Sequence, residues 1–162
     1  MANDPAADVM LTPLVGEPRS LRDWLTTFHL ATVVLDPYTN ESSWVLPTAA
    51  RVLRAFQGAA ARVSFVVTAE GADCTAFLGS LADEFLVFTD PERSFVKSLG
   101  LERLPAFGFI RMDGALRACA EGWDPHAWRT VADAIASTTA WSRPNIPAAG
   151  DPGKFAGSAA LI

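Results

Sequence analysis

Apolar runs and polar breaks alternate along the chain in a way that predicts an α/β domain. Short apolar runs bounded by turn residues are typical of buried strands, and we expect these at 31–35, 63–68, 85–88, 106–111 and 115–121. Longer stretches with apolar residues three or four positions apart are typical of helices, and we expect these at 42–57, 73–82, 92–99 and 125–138. Strands that alternate with helices indicate a central sheet with helices on its faces.

The segment from Asp90 to Gly114 carries the clearest local signals. Asp90 precedes Pro91, and we expect the aspartate to cap a helix whose first position is the proline, where a missing N–H costs nothing. Pro105 precedes an apolar run. Because a proline cannot donate to a sheet ladder, it should lie at the entrance of that strand. The Asp-Gly pair that ends in Gly114 predicts a hairpin turn into the next strand.

This order, with Leu-Pro before a strand and Asp-Gly after it, resembles the C-terminal half of thioredoxin-like proteins, especially the peroxiredoxin and TlpA-type (AhpC/TSA-like) branch. Leu11–Trp24, which reads L-T-P-L-V-G-E-P-R-S-L-R-D-W, is similar to the opening hairpin of the same branch. The resemblance covers residues 10–136. It implies a thioredoxin-like α/β fold, a central mixed β-sheet flanked by helices with an N-terminal β-hairpin extension. It also implies a cis peptide bond between Leu104 and Pro105.

The thiols that this family uses for catalysis are missing at the expected positions. In its redox-active members a C-x-x-C pair lies between the first core strand and a helix, and a helix-kinking proline follows. Matching that proline to Pro47 puts Thr39 and Ser42 where the two cysteines would be. No cysteine lies between Met1 and Asp73, so a single peroxidatic cysteine is missing as well. The resemblance therefore implies the fold, and the sequence predicts no catalytic residue at these degenerate positions.

Hydroxyl groups cannot replace those thiols without further help. A helix N-terminus lowers the pKa of a thiol enough to populate the thiolate, but the pKa of an alcohol lies too high for a helix dipole alone. A serine nucleophile needs a base held by a third group, and the chain has two histidines, His29 and His126. Neither is expected beside Ser42 or Ser43, so we interpret one of these two serines as the N-cap residue of the helix.

The two cysteines of the chain, Cys74 and Cys119, lie away from that position. If Asp73 caps the predicted helix 73–82, Cys74 lies in its first turn, where the helix dipole would lower the pKa of the thiol. The acidic side chains of Glu70 and Asp73 act in the opposite direction. Two interpretations stay open for each cysteine: a small packing residue, or a reactive thiol, for which Cys74 is the better candidate.

Composition narrows the classes of partner. The formal net charge is −5 and no basic run is present, which disfavours nucleic acid. No cluster of His, Cys, Asp or Glu has the spacing of a metal site, and no motif indicates a cofactor. No apolar run approaches the ~20 residues that span a bilayer, so we expect no membrane partner. Met1–Val9 lacks the positive segment and apolar stretch of a signal peptide, and we expect a cytoplasmic location.

Composition also divides the chain into a flexible N-terminus at 1–9, a thioredoxin-like domain at 10–141 and a Pro/Gly-rich C-terminal arm at 142–162. The arm has no regular periodicity, and its apolar residues Phe155, Leu161 and Ile162 lie near its end. Three interpretations stay open: a free tail, an arm packed on its own domain, or a docking segment for another protein. Prolines limit the conformations lost on docking, and we expect the arm to dock.

Two functions remain as hypotheses. The first is a catalytically degenerate binding module that keeps the family's groove, in which the loop before the cis-proline pairs with an extended protein segment or peptide. One side of this predicted groove is formed by Tyr38, Thr39, Asn40 and Glu41, and the other by Arg103, Leu104 and Pro105. The second is a thiol-disulfide oxidoreductase or peroxidase-like enzyme that uses the displaced Cys74. We favour the binding module, because fold alone does not carry activity.

Overall fold

A computed structural model describes residues 2–161. Within these residues the strands are β1 (Met10–Pro13), β2 (Arg19–Ser20), β3 (His29–Leu35), β4 (Ala61–Val67), β5 (Leu86–Thr89), β6 (Arg103–Leu104), β7 (Ala106–Ile110), β8 (Leu116–Glu121) and β9 (Ser158–Ala159). The helices are α1 (Leu21–Trp24), α2 (Asn40–Arg54), α3 (Gly71–Leu78), α4 (Leu81–Glu84), α5 (Ser94–Leu99) and α6 (Pro125–Thr139).

Seven of the strands form one mixed sheet in the order β2-β1-β5-β4-β3-β7-β8. β3 pairs parallel with β4, and β4 pairs parallel with β5. β7 runs antiparallel to both β3 and β8, and β1 runs antiparallel to both β2 and β5. The predicted fold class is confirmed: a central mixed sheet with helices on its faces and an N-terminal hairpin that extends one edge.

The sheet separates two hydrophobic cores. Successive residues of β3 face opposite sides, so Val33 lies in one core and Val34 in the other. Helices α2, α3 and α6 cover the first core, with Trp128 among its fully buried side chains. Helices α1 and α5 cover the second, with Phe95 fully buried. Because both faces are covered, β3 reads as a continuous apolar run rather than an alternating one.

Helix starts differ most from the predictions. Helix α5 begins at Ser94 rather than at Pro91, because Arg93 adopts a left-handed conformation with φ 60°. Asp90 still serves the helix: its carboxylate accepts the backbone N–H groups of Phe95 and Val96 at 3.1 and 3.2 Å. The predicted helix start at Pro91 is therefore wrong, because the helix begins three residues later. The predicted role of Asp90 is right, since its carboxylate binds N–H groups at the start of the helix.

The predicted helix at 73–82 is also wrong in its bounds. Helix α3 begins at Gly71 after Glu70, so Asp73 is not its cap. The helix ends at Gly79, whose φ of 59° suits glycine, and the short α4 follows it. Cys74 consequently lies in the fourth position of α3, beyond the first turn that the sequence predicted for it.

The two ends of the chain contact the domain within the described residues. The backbone N–H of Asn3 donates to Leu99 O at 2.8 Å, and the carboxylate of Asp4 accepts the N–H of Leu116. The arm folds back over the first core, where Ile146 is buried. Ile162, one of the three predicted apolar anchors, lies outside the described residues. The division of the chain at residues 9 and 141 stays a prediction.

The peptide bond between Leu104 and Pro105 is cis, as predicted, and so is the bond between Ile146 and Pro147. Within residues 2–161, no helix combines the length and the apolar character needed to cross a membrane.

Candidate functional site

The candidate site lies where β3 ends and α2 begins. Asp36 follows β3, and Thr39 is the last residue before α2. The Thr39 hydroxyl donates to the carbonyl of Asp36 at 2.9 Å, and the buried Ser42 hydroxyl accepts the N–H of Asp36 at 2.9 Å. Pro47 lies inside α2, as the alignment with the family's proline requires. The two positions that matched the cysteines are thus at a helix N-terminus, and both hydroxyls fix the backbone of one residue.

The interpretation of Ser42 or Ser43 as the N-cap residue is wrong. The N-cap residue of α2 is Thr39, and its side chain makes no capping hydrogen bond because it points back to the Asp36 carbonyl. Ser42 is the third residue of the helix and is buried, and Ser43 is exposed. The sequence placed the helix start two residues too late, because Asn40 and Glu41 carry no apolar signal.

Neither histidine reaches these hydroxyls. His29 begins β3, and its Nδ1 accepts the N–H of Met112 at 3.0 Å. A strand of this length separates its ends by about 20 Å, so His29 lies far from Ser42. His126 lies on α6, where its ring faces Arg129. The described residues therefore hold no nucleophile–base pair at the site.

A buried ion pair lies directly behind the loop. Asp36 Oδ2 accepts a hydrogen bond from Arg93 Nη2 at 2.9 Å, and the two side chains are 1% and 13% exposed. Asp36 Oδ1 accepts the N–H of Tyr38 at 3.0 Å, which holds the loop against the carboxylate. The other terminal nitrogen of Arg93 donates to the carbonyl of Ala160 in the arm. Buried charges need such partners, since an unpaired one would cost several kcal/mol.

The short strand β6 forms the other side of the site. One carboxylate oxygen of Glu121 accepts the backbone N–H groups of Glu102 and Arg103 at 2.6 and 2.9 Å, which fixes the approach to β6. Leu104 is buried and Arg103 is exposed. Pro105 is buried, and its carbonyl accepts the N–H of Gly122 at 2.7 Å.

The arm occupies the edge of β6. Strand β9 pairs antiparallel with β6, with Arg103 opposite Ala159 and Leu104 opposite Ser158. Upstream of β9, the backbone of Phe155 exchanges two hydrogen bonds of 2.9 Å with Trp123. The arm thus lies on the surface that the sequence predicted for a bound peptide.

The structure brings together only part of the predicted groove. The described contacts link the loop to β6 through Arg93 and the arm rather than directly. Trp44 on α2 meets the ring of Phe155 edge-on, with centroids 5.6 Å apart. The Tyr38 hydroxyl donates to Asp73 at 2.5 Å, and this hydrogen bond is the main cause that raises the pKa of Tyr38. Asn40 is exposed and Glu41 half-buried at the start of α2.

Sequence reasoning missed four residues that shape this site, namely Asp36, Arg93, Glu121 and Ala160. A charged residue at the end of a buried strand was the only signal for Asp36, and nothing in the local pattern marked the others. Arg93, Glu121 and Ala160 each bind a residue that is distant in the sequence. Local periodicity and spacing therefore give no sign of these pairs.

Both cysteines lie in surroundings that disfavour the thiolate. Burial raises the pKa of the Cys74 thiol to about 11 and that of Cys119 to about 12. The condition for helix-dipole activation of Cys74, that Asp73 caps the helix, is not met, and burial raises the pKa of the thiol instead of lowering it. Cys74 packs in the first core and Cys119 against the second, so the sheet lies between the two thiols. Among residues 2–161, no group of His, Cys, Asp or Glu side chains could hold a metal ion.

The strand order, the loop at the end of β3 and the cis-proline before β7 identify the architecture. The chain has a thioredoxin-like fold. A candidate thiol:disulfide interchange protein DsbE from Chlorobium tepidum has a TM-score of 0.69 and 18% identity, over 86% of this chain and 98% of that protein. Peroxiredoxin Q from Xanthomonas campestris has a TM-score of 0.64 and 12% identity, over 83% and 91%.

A secreted Mycobacterium tuberculosis disulfide oxidoreductase homologous to E. coli DsbE has a TM-score of 0.58 and 19% identity, over 72% of this chain and 85% of that protein. These neighbours are of the thiol-disulfide oxidoreductase and peroxiredoxin type that the sequence resembled, and identities this low concern the fold alone. No family model matches the chain. No curated protein matches it either. The cytoplasmic location stays a prediction.

Proposed function

We propose that this protein is a catalytically degenerate thioredoxin-like binding module, which holds an extended peptide or protein segment along the edge of β6. The observation that carries the proposal is the pairing of Arg103 and Leu104 with an extended segment, strand β9. Strand addition of this kind uses backbone hydrogen bonds for affinity and side-chain pockets for specificity. The carboxylate of Glu121 holds the approach to β6 in place for such pairing.

The side opposite β6 supports the same role. Tyr38 is 68% exposed and Trp44 is 54% exposed, although both are large aromatic side chains. Aromatic residues are enriched in binding sites because they supply contact area at low conformational cost. Thr39 and Ser42 leave this surface without a thiol, so binding there does not lead to disulfide exchange.

A thiol oxidoreductase that uses Cys74 is the second candidate, and the redox activity named for the structural neighbours favours it. Two properties of Cys74 weigh against it. The residue is fully buried, and its pKa of about 11 keeps the thiol protonated at neutral pH.

NMR titration of the isotope-labelled full-length protein tests the binding proposal. Peptides are first selected on the protein from a random library. We expect their amide perturbations to map to residues 38–41 and 102–105. Tyr38→Ala should weaken binding about tenfold, which corresponds to roughly 1.4 kcal/mol. Phe28→Ala is the matched control, because Phe28 is an exposed aromatic residue at the other end of β3. Perturbations that map elsewhere, or equal effects of the two substitutions, would contradict the proposal.

Thiol-coupled insulin reduction and hydroperoxide consumption test the second candidate. We expect both rates to equal the background rate without protein, because no accessible thiolate lies among the described residues. A rate above background that Cys74→Ser abolishes would instead support the oxidoreductase.

A further inference from the structure

The segment that occupies β6 belongs to the same chain, and its contacts with β6 are mainly backbone hydrogen bonds. Strand β9 pairs with β6, and the N–H of Ala160 continues the ladder by donating to Glu102 O at 3.0 Å. The Ala160 carbonyl accepts from Arg93, whose guanidinium also pairs with Asp36. Antiparallel backbone pairing at the edge of a strand is also how an extended peptide binds by strand addition.

From this arrangement we propose that residues 155–161 are an intramolecular ligand of the β6 edge, which selects extended segments of the small-residue type Gly-Ser-Ala-Ala and binds an outside segment only after the arm has left. The inference rests on the proposed function. It adds the class of segment that the β6 edge recognises, and it names the arm as the competitor that controls access to that edge.

Close backbone approach defines the selectivity. A Cβ atom on Gly157 would lie 2.5 Å from the carbonyl oxygen of Leu104, and the φ of Gly157 is 89°. Only glycine tolerates both conditions. Gly122 faces the arm in the same way, since a Cβ there would lie 2.5 Å from Ala156 O. Ala160 is fully buried, so a larger side chain at this position has no room.

The distal part of the arm can leave without the proximal part. Asp151 fixes the proximal part, because its carboxylate accepts from Arg51 and Thr48 at 2.8 Å each. Strand β9, by contrast, has two residues, and Leu161 after it is 48% exposed. Two short paired strands are marginal alone. A tethered ligand competes with an effective concentration in the millimolar range, so an outside segment binds weakly while the arm is seated.

The test uses the full chain with Gly157→Val, which removes the glycine that the β6 edge requires. Gly153→Val is the matched control, since a Cβ at Gly153 meets no atom within 4 Å. A fluorescein-labelled peptide of residues 154–161, K-F-A-G-S-A-A-L, is titrated by fluorescence anisotropy. We expect Gly157→Val to bind this peptide at least about tenfold more tightly than the wild type and Gly153→Val. The peptide K-F-A-V-S-A-A-L should bind none of the three proteins.

Hydrogen exchange at the amide of Ala160 reports whether the arm has left. We expect faster exchange in Gly157→Val than in Gly153→Val, because the ladder to Glu102 is lost. If Gly157→Val does not unfold cooperatively, the variant Ala160→Trp is used in its place. Ala160 is fully buried, so an indole ring at this position should displace the arm. The same gain in peptide affinity is expected for that variant.

The other outcomes separate this inference from the proposed function. Equal binding of the arm peptide to the wild type and Gly157→Val would overturn the inference, because the arm would then not compete. A released arm whose peptide does not bind, while library peptides still perturb Arg103 and Leu104, would overturn the selectivity and leave the proposed function in place. If no peptide perturbs β6 in either protein, both fail.

Discussion

At the scale of single residues, the site shows hydroxyl groups that hold the backbone in place of thiols that would react. Thr39 and Ser42 bind the carbonyl and the N–H of Asp36, one from each side. Asp36 in turn pairs with Arg93, so the loop before α2 is fixed through one buried carboxylate and two hydroxyls. Thr39 and Ser42 lie at a helix N-terminus, where the helix dipole would stabilise a thiolate. Their hydroxyl groups stay neutral there.

The substitution Ser42→Ala should lower the free energy of unfolding by about 1–3 kcal/mol, because the N–H of Asp36 would be buried without an acceptor. Ser43→Ala is the matched control. Ser43 is exposed, and its loss should change stability by less than about 0.5 kcal/mol. Urea unfolding measures both. Equal effects would mean that the Ser42 hydroxyl contributes nothing specific.

Replacing both hydroxyls by thiols should create a reversible disulfide. The double substitution Thr39→Cys with Ser42→Cys places the thiols at the N-cap and third positions of α2. At least one of them should have a pKa below that of a free cysteine, since the helix dipole favours the thiolate. Thiol titration with a chromogenic disulfide across pH measures this value. Two thiols that titrate normally and cannot be oxidised to each other would contradict the assignment based on Pro47.

At the scale of elements, the arm behaves as two separate attachments to the domain. Its proximal part is joined to α2 and α6 by side chains, with Arg51 donating to Asn145 O at 2.7 Å and Arg129 donating to Ile146 O at 3.1 Å. Its distal part is joined to β6 by backbone groups. Side-chain attachment is set by individual residues, whereas backbone attachment tolerates any sequence that fits the space.

The substitution Asp151→Ala should loosen the proximal part alone. Its carboxylate is 6% exposed and binds Thr48, Arg51 and the N–H of Ala148, so its loss should cost about 1–3 kcal/mol. Asp133→Ala is the control, because the exposed pair of Asp133 with Arg143 also joins a helix to the arm and should contribute at most about 1 kcal/mol. Hydrogen exchange at residues 146–152, together with urea unfolding, measures the difference. Comparable exchange in the two variants would contradict the prediction.

At the scale of the whole molecule, the two buried thiols connect stability to pH. Each lies against a different core, and burial holds the pKa of each thiol above its ordinary value of 9.0. The folded protein therefore keeps protons that the unfolded chain releases. This contribution to stability is complete below pH 9 and is lost as the pH rises through the folded pKa.

We expect the free energy of unfolding of the wild type to decrease between pH 9 and about pH 11, the pKa of Cys74. The substitution Cys74→Ala should make this decrease smaller, by up to about 2 kcal/mol, because one group no longer titrates differently in the two states. Urea unfolding at pH 8 to 11 compares the two proteins. Parallel curves over that interval would show that the buried thiol has an ordinary pKa.

The sequence by itself determined the core elements and the positions of the missing thiols. Apolar periodicity predicted β3, β4 and α6, because a buried face leaves a pattern of apolar residues in the local sequence. Matching Pro47 to the family's proline located Thr39 and Ser42 at the cysteine positions. The predicted starts of α2, α3 and α5 are wrong. The first two residues of α2 are polar, α3 begins with glycine and alanine, and a left-handed residue precedes α5.

Tertiary structure alone decided what surrounds the site. Asp36, Arg93 and Ala160 meet only because the sheet, helix α5 and the arm bring them together. Burial of Cys74 likewise depends on its neighbours in space, and it raises the pKa of a thiol that a helix dipole alone would lower. Polar pairing and close backbone approach depend on distances between segments far apart in the chain, and no local pattern of residues encodes those distances.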